Sequence, residues 1–319
     1  MICRICENSL NNKTFLIKEM MFGFREEFAY TECSRCGCLQ IEEIPKNISN
    51  YYPSNYYSFQ SGEAKKNFFK NCFTNKLYNY LLFKKGFIGK ILSTRYPVPI
   101  LDCIRLAKVN YDSKILDVGC GAGKFLYSLR NAGFKDLLGV DPYIESGFST
   151  KNLKILKADI HELPDSQKFD LIMFNHSFEH TSNPKEILSK VSKLLNENGT
   201  CLISLPVKTK FVWDRYGVNW VQIDAPRHFF LYTPDGFKLL AEKTGMKVSN
   251  VIFNSSEFLF WGSEQYLKNI PLRSKGSYLE NKRDSTFSKN DIKEFKSMSE
   301  ELNRKMQGDS ASFFLQIQT

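Results

Sequence analysis

Histidine is scarce in this chain, with 4 residues among 319, and no apolar run approaches the roughly 18 residues of a membrane span. Glycine (18) and proline (11) are too few for collagen-like or low-complexity sequence. The N-terminal residues also lack the apolar segment of a secretory signal. These absences exclude fibrous and membrane-spanning classes, and we therefore expect a cytoplasmic enzyme or binding protein.

Positive charge is in excess, because 44 Lys and Arg residues stand against 34 Asp and Glu residues, for a formal charge of +10. This balance favours an acidic partner, namely nucleic acid, a phosphorylated metabolite or an anionic membrane surface. With 42% hydrophobic and 24% charged residues the chain is not disordered, and its length allows either one large α/β domain or one domain with appendages.

Five of the nine cysteines lie in the first 38 residues. An odd number without a secretory signal argues against a disulfide framework. Two Cys-x2-Cys pairs, Cys3 with Cys6 and Cys33 with Cys36, supply four thiolates at the spacing of a structural zinc site. We therefore predict a zinc ribbon over residues 1–45, with Cys38 as a bystander. A redox pair and an iron–sulfur cluster are the alternatives.

Residues 46–109 are predicted to connect this module to the rest of the chain. Within them, residues 63–96 mix lysines with aromatic side chains, and they are predicted to be helical with a break near Gly86 and Gly89. Three interpretations stay open. The aromatics pack on a sheet while the lysines face solvent, or the segment contacts the cytoplasmic face of a membrane, or it binds RNA.

Strand and helix patterns alternate from about residue 100, which predicts an α/β domain with a parallel sheet, and we assign it to residues 110–319. Asn183 and Thr233 are predicted N-caps, and Gly245 is predicted to follow the end of a helix. The predicted strands cover residues 114–118, 137–140, 153–158, 171–175, 200–205, 248–253 and 312–317, and the helices cover 124–132, 184–195 and 234–244.

A glycine-rich turn follows the first of these strands and opens a helix. Asp117 is followed by Gly119, Gly121 and Gly123, which let the backbone turn tightly at a helix N-terminus. It is not a phosphate-binding Walker loop, because Val118 and Phe125 replace required residues, and Lys124 replaces the third glycine of a dinucleotide fingerprint. The segment resembles motif I of class I S-adenosylmethionine (SAM)-dependent methyltransferases.

The resemblance extends to four later segments in the family's order. Three of these segments are strand ends, at Asp141 for the second strand, Asp159 for the third and Asn175 for the fourth. The remaining segment is a helix–Gly–strand unit over residues 194–206. The resemblance implies a Rossmann-like sheet of seven strands with an antiparallel last strand, its hairpin enlarged by an insertion at residues 262–310. It also implies which residues bind SAM. Asp141 is expected at the ribose, Asp159 and the Ile160 N–H at the adenine, and Asn175 near the methyl. The motif I loop contributes five further residues: Asp117, Gly119, Cys120, Gly121 and Gly123.

The residues just past the fourth strand are candidates for the chemistry. His176, Glu179 and His180 parallel the Glu-x-x-Glu-His motif of ubiquinone-pathway O-methyltransferases, whose side chains are linked to a divalent metal. Here histidine replaces the first glutamate. Two interpretations follow: the three residues bind a metal, or Glu179 and His180 orient the next helix while His176 acts as a base.

Residues 207–232 are predicted to cap the acceptor side of the sheet, where such folds bind their substrates. His228 is the preferred base, and Arg227 is predicted to hold an acceptor phosphate. The alternative is a packed lid in which Arg227 pairs with an internal carboxylate. Three aromatic residues are predicted to stack on a sugar ring: Trp213, Tyr216 and Trp220.

The combination of zinc ribbon, tyrosine-rich segment at residues 51–57 and class I domain resembles bacterial methyltransferases encoded with surface-polysaccharide genes. It also resembles the zinc-containing C-methyltransferases of deoxysugar biosynthesis. The resemblance implies a sugar or nucleotide sugar as acceptor. The missing secretory signal predicts a cytoplasmic location, and the basic segment at residues 63–96 adds peripheral contact with the inner face of the membrane as an alternative. The alternatives are an rRNA or tRNA methyltransferase, disfavoured because strand four lacks an Asn/Asp-Pro-Pro-aromatic motif, and a non-catalytic SAM-binding docking protein.

Overall fold

The computed structural model describes residues 1–52 and 68–318. Residues 53–57 of the tyrosine-rich segment and residues 63–67 of the basic segment therefore lie outside the described residues.

Twelve strands and nine α-helices are present in the described part of the chain. The strands are β1 (Lys13–Lys18), β2 (Glu27–Glu32), β3 (Leu39–Ile41), β4 (Lys114–Val118), β5 (Asp136–Val140), β6 (Phe148–Thr150), β7 (Leu153–Leu156), β8 (Phe169–Asn175), β9 (Leu195–Pro206), β10 (Phe230–Leu231), β11 (Met246–Phe253) and β12 (Ser310–Ile317). The helices are α1 (Phe68–Phe83), α2 (Phe87–Arg95), α3 (Pro99–Leu106), α4 (Lys124–Ala132), α5 (Pro184–Leu194), α6 (Lys210–Tyr216), α7 (Pro234–Glu242), α8 (Phe258–Leu267) and α9 (Lys289–Arg304).

The central sheet has the order β11-β12-β9-β8-β4-β5-β7-β6. Strands β9, β8, β4, β5 and β7 run parallel, and β12 lies antiparallel between β9 and β11. The α/β Rossmann-like prediction is therefore confirmed, with the antiparallel last strand in its expected place. The sheet has one strand more than the seven predicted, because the short strand β6 pairs with the edge of β7.

Helices cover both faces of this sheet, which explains why its inner strands are apolar throughout. Leu171 to Phe174 of β8 are all buried. On one face the core contains Leu77 of α1 and Leu129 of α4, and on the other it contains Leu188 of α5 and Leu240 of α7. Each fully buried side chain of this size contributes about 1.5–3 kcal/mol, so the core fixes the positions of the strand ends.

The predicted helix termini are correct for α7 and wrong in detail for α5. The Thr233 hydroxyl accepts a hydrogen bond from the Gly236 N–H at 3.0 Å, and Gly245 has a φ of +73° after the helix. Asn183 precedes Pro184 as predicted, but its side chain makes no capping hydrogen bond. The backbone of α5 is thus started by proline and by packing of its apolar face rather than by a side-chain cap.

The N-terminal module forms its own small sheet, β1-β2-β3, and its fourth strand comes from the opposite half of the chain. Strand β10 pairs antiparallel with β3, with Phe230 opposite Gln40 and Leu231 opposite Leu39. The cysteine module is therefore joined to the segment that was predicted to cap the acceptor side.

The basic segment is helical where it is described, and it breaks at Gly86, whose φ is +96°. Leu77, Leu81 and Leu82 of α1 are buried against the large sheet. Helix α2 instead exposes apolar side chains, with Phe87 77% exposed. Across the described residues, none of the helices combines the length and apolarity needed to cross a membrane.

The insertion before the last strand starts earlier than the predicted residue 262, because the connection between β11 and β12 covers residues 254–309 and contains helices α8 and α9. Leu259 and Phe260 of α8 are buried, and the Ser263 hydroxyl accepts a hydrogen bond from the Val221 N–H at 3.1 Å. Gly262 faces Val221 so closely that an added Cβ would lie 2.8 Å from its side chain. The insertion thus packs directly on the 207–232 segment and closes one side of a cavity there.

Candidate active site

The glycine-rich turn connects β4 to α4 and is anchored to both neighbouring strands. The Gly119 N–H donates to the Val140 carbonyl at 2.8 Å, and the Ser177 hydroxyl donates to the Val118 carbonyl at 2.6 Å. Gly119 has a φ of +75°, and an added Cβ would lie only 2.4 Å from that of Ser177. Glycine is therefore required for the segment after β8 to pack on the loop, which brings two of the predicted motifs together.

Asp141 directly follows β5, and its side chain is hydrogen-bonded to the glycine-rich turn. Its two carboxylate oxygens accept hydrogen bonds from the Gly121 and Tyr143 N–H groups, each at 2.9 Å. The side chain is buried, yet each oxygen keeps a lone pair for a further donor. Burial, together with the charge of Asp141, raises the pKa of the neighbouring Asp117 to about 7.

The other predicted SAM residues lie at the same edge of the sheet. Asp159 caps a short turn, since its carboxylate accepts the His161 N–H at 2.9 Å while its own N–H donates to Glu162 at 2.6 Å. Ile160 has a buried side chain, so it presents only backbone to a ligand. Cys120 is half-buried in the loop and Asn175 is exposed at the end of β8.

Three histidines surround one buried carboxylate beyond β8. Glu179 is fully buried, and within the described part of the chain neither of its oxygens has a hydrogen-bond partner. His176 Nδ1 lies 3.5 Å from Glu179 Oε1, and His228 Nε2 lies 3.9 Å from the same oxygen. Burial alone would raise the pKa of Glu179, but the surrounding histidines outweigh it and lower that pKa to about 2.

Backbone carbonyls fix the ring orientation of two of these histidines. His228 Nδ1 lies 2.7 Å from the Gln222 carbonyl, and His180 Nδ1 lies 2.8 Å from the Arg227 carbonyl. A carbonyl oxygen only accepts hydrogen bonds, so each Nδ1 carries the hydrogen and each neutral ring keeps its lone pair on Nε2. Burial, with His180 adding to it, lowers the pKa of His228 to about 4.

His176 differs from the other two because its side chain is 46% exposed. Its backbone has a φ of +53°, a strained conformation for a residue with a side chain. Burial lowers the pKa of His176, but the contact with Glu179 raises it more, so the net shift is upward. The ring faces a cavity of about 320 Å3, whose other lining residues are Gln222, Asn254, Ser256, Phe258, Leu259, Asp309 and Ser310.

The predicted acceptor contacts in the 207–232 segment point inward instead. Trp220 is fully buried and donates from Nε1 to Asp309 at 3.1 Å, and the Tyr216 hydroxyl donates to Glu264 at 3.0 Å. Trp213 packs edge-on against Phe15, with ring centroids 5.2 Å apart. Packing therefore occupies the three aromatic rings that were expected to stack on a sugar.

Arg227 is likewise enclosed, with no exposed side-chain surface. Its guanidinium donates to Glu19 at 2.8 Å and to Asp224 at 2.6 Å. Because two carboxylates already occupy its donors, Arg227 is not placed to hold an acceptor phosphate. The structure agrees with the alternative, a packed lid in which Arg227 pairs with internal carboxylates.

Several residues of the site escaped the sequence analysis. Asn254 and Ser256 follow the carboxyl end of β11, Asp309 directly precedes β12 and Ser310 begins it. All four line the cavity beside His176. Polar residues directly after a strand end were the available signal. Glu19, the partner of Arg227, carried no signal because it lies 208 residues away in the chain.

The four predicted zinc ligands converge in the N-terminal module. Cys3 and Cys36 have their sulfurs 3.6 Å apart, and Cys6 and Cys33 have theirs 3.4 Å apart. All four sulfurs lie within 4.8 Å of one another and none is in a disulfide. Zn–S bonds of about 2.3 Å place sulfurs about 3.8 Å apart in a tetrahedron, so the arrangement fits one zinc ion.

Comparison with known proteins gives one family match, to a model described as "Methyltransferase domain", over residues 97–251. The chain is 26% identical over 196 residues to a ubiquinone biosynthesis O-methyltransferase of Rickettsia bellii, covering 54% of this chain and 80% of that protein. It is 32% identical over 95 residues to a tRNA U34 carboxymethyltransferase of Campylobacter hominis, covering 27% of this chain and 33% of that protein. Among solved structures, a SAM-dependent methyltransferase from Archaeoglobus fulgidus aligns over 74% of this chain and 98% of that chain, with a TM-score of 0.42 and 22% identity.

The methyltransferase match spans the glycine-rich turn, Asp141, Asp159 and the end of β8. The strand order of the central sheet and the relative named as an O-methyltransferase agree with it. The protein is a SAM-dependent methyltransferase with the class I fold.

Proposed function

We propose that this enzyme methylates a small, hydroxyl-rich acceptor, a sugar or nucleotide sugar of surface-polysaccharide biosynthesis. The supporting observation is the cavity beside His176, where Gln222, Asn254, Ser256 and Asp309 place polar side chains around a space of about 320 Å3. Amide, hydroxyl and carboxylate groups suit the many hydroxyls of a sugar ring. The polysaccharide setting rests on the resemblance of the chain's three-part organisation.

SAM, which supplies the methyl group when bound, is assigned to the edge of the sheet formed by the glycine-rich turn, Asp141 and Asp159. The Asp141 carboxylate is held rigid by two N–H donors and has lone pairs left for ribose hydroxyls. Asn175 ends β8, the strand next to β4 in the sheet, and it directly precedes His176 of the cavity. Donor and acceptor would therefore meet at the end of β8, where positioning lowers the barrier to displacement.

His176 is assigned as the proton acceptor. Its Nδ1 faces Glu179, which orients the ring and leaves Nε2 free to take the acceptor's hydroxyl proton. As that O–H bond breaks, the oxygen attacks the methyl carbon and the carbon–sulfur bond of SAM breaks. The products are the methylated acceptor and S-adenosylhomocysteine. His228, the base preferred from the sequence, is only 7% exposed and faces Glu179 and Asp224, so access favours His176.

A structural zinc ion bound by Cys3, Cys6, Cys33 and Cys36 is part of the proposal. Four thiolates leave no open coordination position, so its role is in folding and docking of the N-terminal module. Membrane contact through residues 63–96 stays a prediction, and the exposed Phe87, Ile88 and Ile91 of α2 are where we would expect it.

Transfer of labelled methyl from SAM into fractionated cell extract tests the acceptor. The fractions are nucleotide sugars, lipid-linked glycans, RNA and protein, and the Asp141→Ala variant serves as the blank. We expect label in one of the two glycan fractions. Ribonuclease-sensitive label would instead establish the RNA alternative, which a tRNA-modifying relative over 95 aligned residues also raises. SAM binding without label in any fraction would support the docking-protein alternative.

A further inference from the structure

Beyond the cysteine module, the structure brings a second set of metal-ligating side chains together. One ligand atom each from Glu179, His180 and His228 lies within 4.8 Å of the other two. We propose that these three residues bind one divalent transition-metal ion. The site is distinct from the linear motif considered in the sequence, because His228 comes from the 207–232 segment and His176 is excluded.

The first argument is the isolation of the carboxylate. Glu179 is fully buried and neither oxygen accepts a hydrogen bond from any described residue, while His176 Nδ1 approaches Oε1 only to 3.5 Å. A buried carboxylate is costly unless it is paired, hydrogen-bonded or bound to a metal. The separation of 3.9 Å between His228 Nε2 and Glu179 Oε1 is too long for a hydrogen bond. It falls within the roughly 3.0–4.2 Å that separates two ligands each about 2.1 Å from one ion.

The second argument is the orientation of the two imidazole rings. Both His180 and His228 direct Nδ1 to a backbone carbonyl, at 2.8 and 2.7 Å. A metal-binding histidine commonly donates its other N–H to a carbonyl or carboxylate, which fixes the tautomer and turns the remaining lone pair to the ion. The two carbonyls, of Gln222 and Arg227, thus hold both rings with Nδ1–H as the donor, and the lone pair that each neutral ring keeps for an ion is on Nε2.

The third argument is the balance of charge around the cluster. One ion-pair network joins Arg227, Glu19 and Asp224, and the formal charges of these three side chains sum to −1. Glu179 adds another negative charge, so with neutral histidines these four side chains carry −2. Glu19, Glu179 and Arg227 have no exposed side-chain surface and Asp224 has 16%. One divalent cation would neutralise the group.

His176 faces Glu179 from the cavity side and is left outside the ligand set. The cation would therefore fix Glu179 next to the ring that we assign as proton acceptor. The ligand set of two imidazoles and one carboxylate favours a transition metal such as Zn2+, Co2+ or Fe2+ over Mg2+. The site concerns this chain's own residues and does not depend on which acceptor is methylated.

Cobalt(II) binding to the full-length protein, with zinc retained by the cysteines, tests the proposal without acceptor or SAM. We expect one Co2+ per chain, with visible d–d absorption and without the near-ultraviolet band of thiolate-to-cobalt charge transfer. Glu179→Gln and, separately, His228→Asn should weaken binding at least about tenfold, since even outer-shell changes cost 10–100-fold. His176→Asn, the matched histidine variant, should bind Co2+ as the wild type does.

Zinc content and SAM affinity of each variant report whether it is folded. If one of the two ligand variants does not fold, the other is enough to test the proposal. The proposal is overturned if the wild type binds no Co2+, if bound Co2+ shows thiolate charge transfer, or if a folded ligand variant keeps wild-type affinity. A loss of binding in His176→Asn equal to that in Glu179→Gln would overturn the ligand set. Because no turnover is measured, these outcomes are independent of the acceptor assay.

Discussion

His176 combines a strained backbone conformation, a contact with a buried carboxylate and a partly exposed side chain. It has a positive φ at the end of a buried strand, its ring contacts Glu179, and nearly half of its side chain is exposed to the cavity. A strained residue held in place by its surroundings at a strand end is a common feature of active sites. The two other histidines near Glu179 are held by carbonyls and face inward.

His176→Asn is expected to lower kcat by about 10²–10⁴, because a positioned base contributes that much, with little change in SAM affinity. The base must be neutral to accept a proton. Without a cation on Glu179, this carboxylate raises the pKa of His176 above its usual value of 6.5, so the rate of the metal-free protein should rise with pH through that raised pKa and fall below it. A pH–rate profile of wild type and variant measures both effects.

His161→Asn is the matched control, since His161 is an exposed histidine on the turn after β7. Its rate should equal that of the wild type at every pH. An unchanged profile in His176→Asn would remove His176 from the chemistry and return His228 to consideration.

Asp141→Asn should weaken SAM binding by about 10–100-fold, because charge-assisted hydrogen bonds are worth about 1.5–3 kcal/mol. The carboxylate accepts two backbone N–H groups and has lone pairs for the ribose, whereas an amide nitrogen cannot accept. Calorimetric titration with SAM measures the change. Asp112→Asn, which alters an exposed carboxylate paired with Lys135, should bind SAM normally. Wild-type affinity in Asp141→Asn would contradict the assigned site.

At the scale of elements, the short strand β10 is what connects the cysteine module to the catalytic domain. It pairs with β3, and the same chain segment carries Arg227 and His228 immediately before it. The Thr233 hydroxyl, just after β10, also donates to the Cys36 carbonyl at 2.6 Å. If the module binds the zinc ion that we propose, its loss should therefore affect the catalytic side through this segment.

Cys33→Ser is expected to remove the bound zinc and to lower the melting temperature, since a structural zinc ion contributes folding free energy directly. Elemental analysis should give one zinc per chain in the wild type and none in the variant. Cys72→Ser changes an exposed cysteine outside the module and should keep both zinc and stability. Full zinc content in Cys33→Ser would exclude the four-cysteine ligand set.

Across the whole molecule, one ion-pair network spans the chain from Glu19 to Arg227. The Glu19 carboxylate also accepts the N–H groups of Phe22, Gly23 and Phe24, each at 2.9 Å. It therefore holds a turn of the N-terminal module and a buried guanidinium of the lid at the same time. The two parts are expected to unfold together.

Glu19→Gln should destabilise the protein by about 3–5 kcal/mol, the usual cost of breaking a buried ion pair. Arg227 would keep only Asp224 as its charged partner, and the amide nitrogen could not accept from the turn. Thermal unfolding followed by calorimetry measures the shift. Glu27→Gln, which removes an exposed carboxylate 3.9 Å from Lys18, should leave the transition in place. Equal transitions in the two variants would contradict the structural role of Glu19.

Local sequence patterns alone predict the parallel sheet, the glycine-rich turn and the clustering of four cysteines, Cys3, Cys6, Cys33 and Cys36. These features depend on local patterns, namely runs of apolar residues, glycines in a tight turn and short cysteine spacing. Such patterns can be recognised from the order of residues in the chain. Strand β6 escaped because a three-residue edge strand has too short a pattern to detect.

Two features of the site depend on long-range packing and could not be predicted from local patterns. One is the polar lining of the cavity, and the other is the inward direction of four side chains: Trp213, Tyr216, Trp220 and Arg227. A residue type states what a side chain can contact, but burial depends on partners far along the chain: Glu19 for Arg227, Asp309 for Trp220 and Glu264 for Tyr216. Likewise Glu179 and His228 meet only because the lid folds back over the end of β8. Long-range packing chooses among the contacts that local chemistry allows.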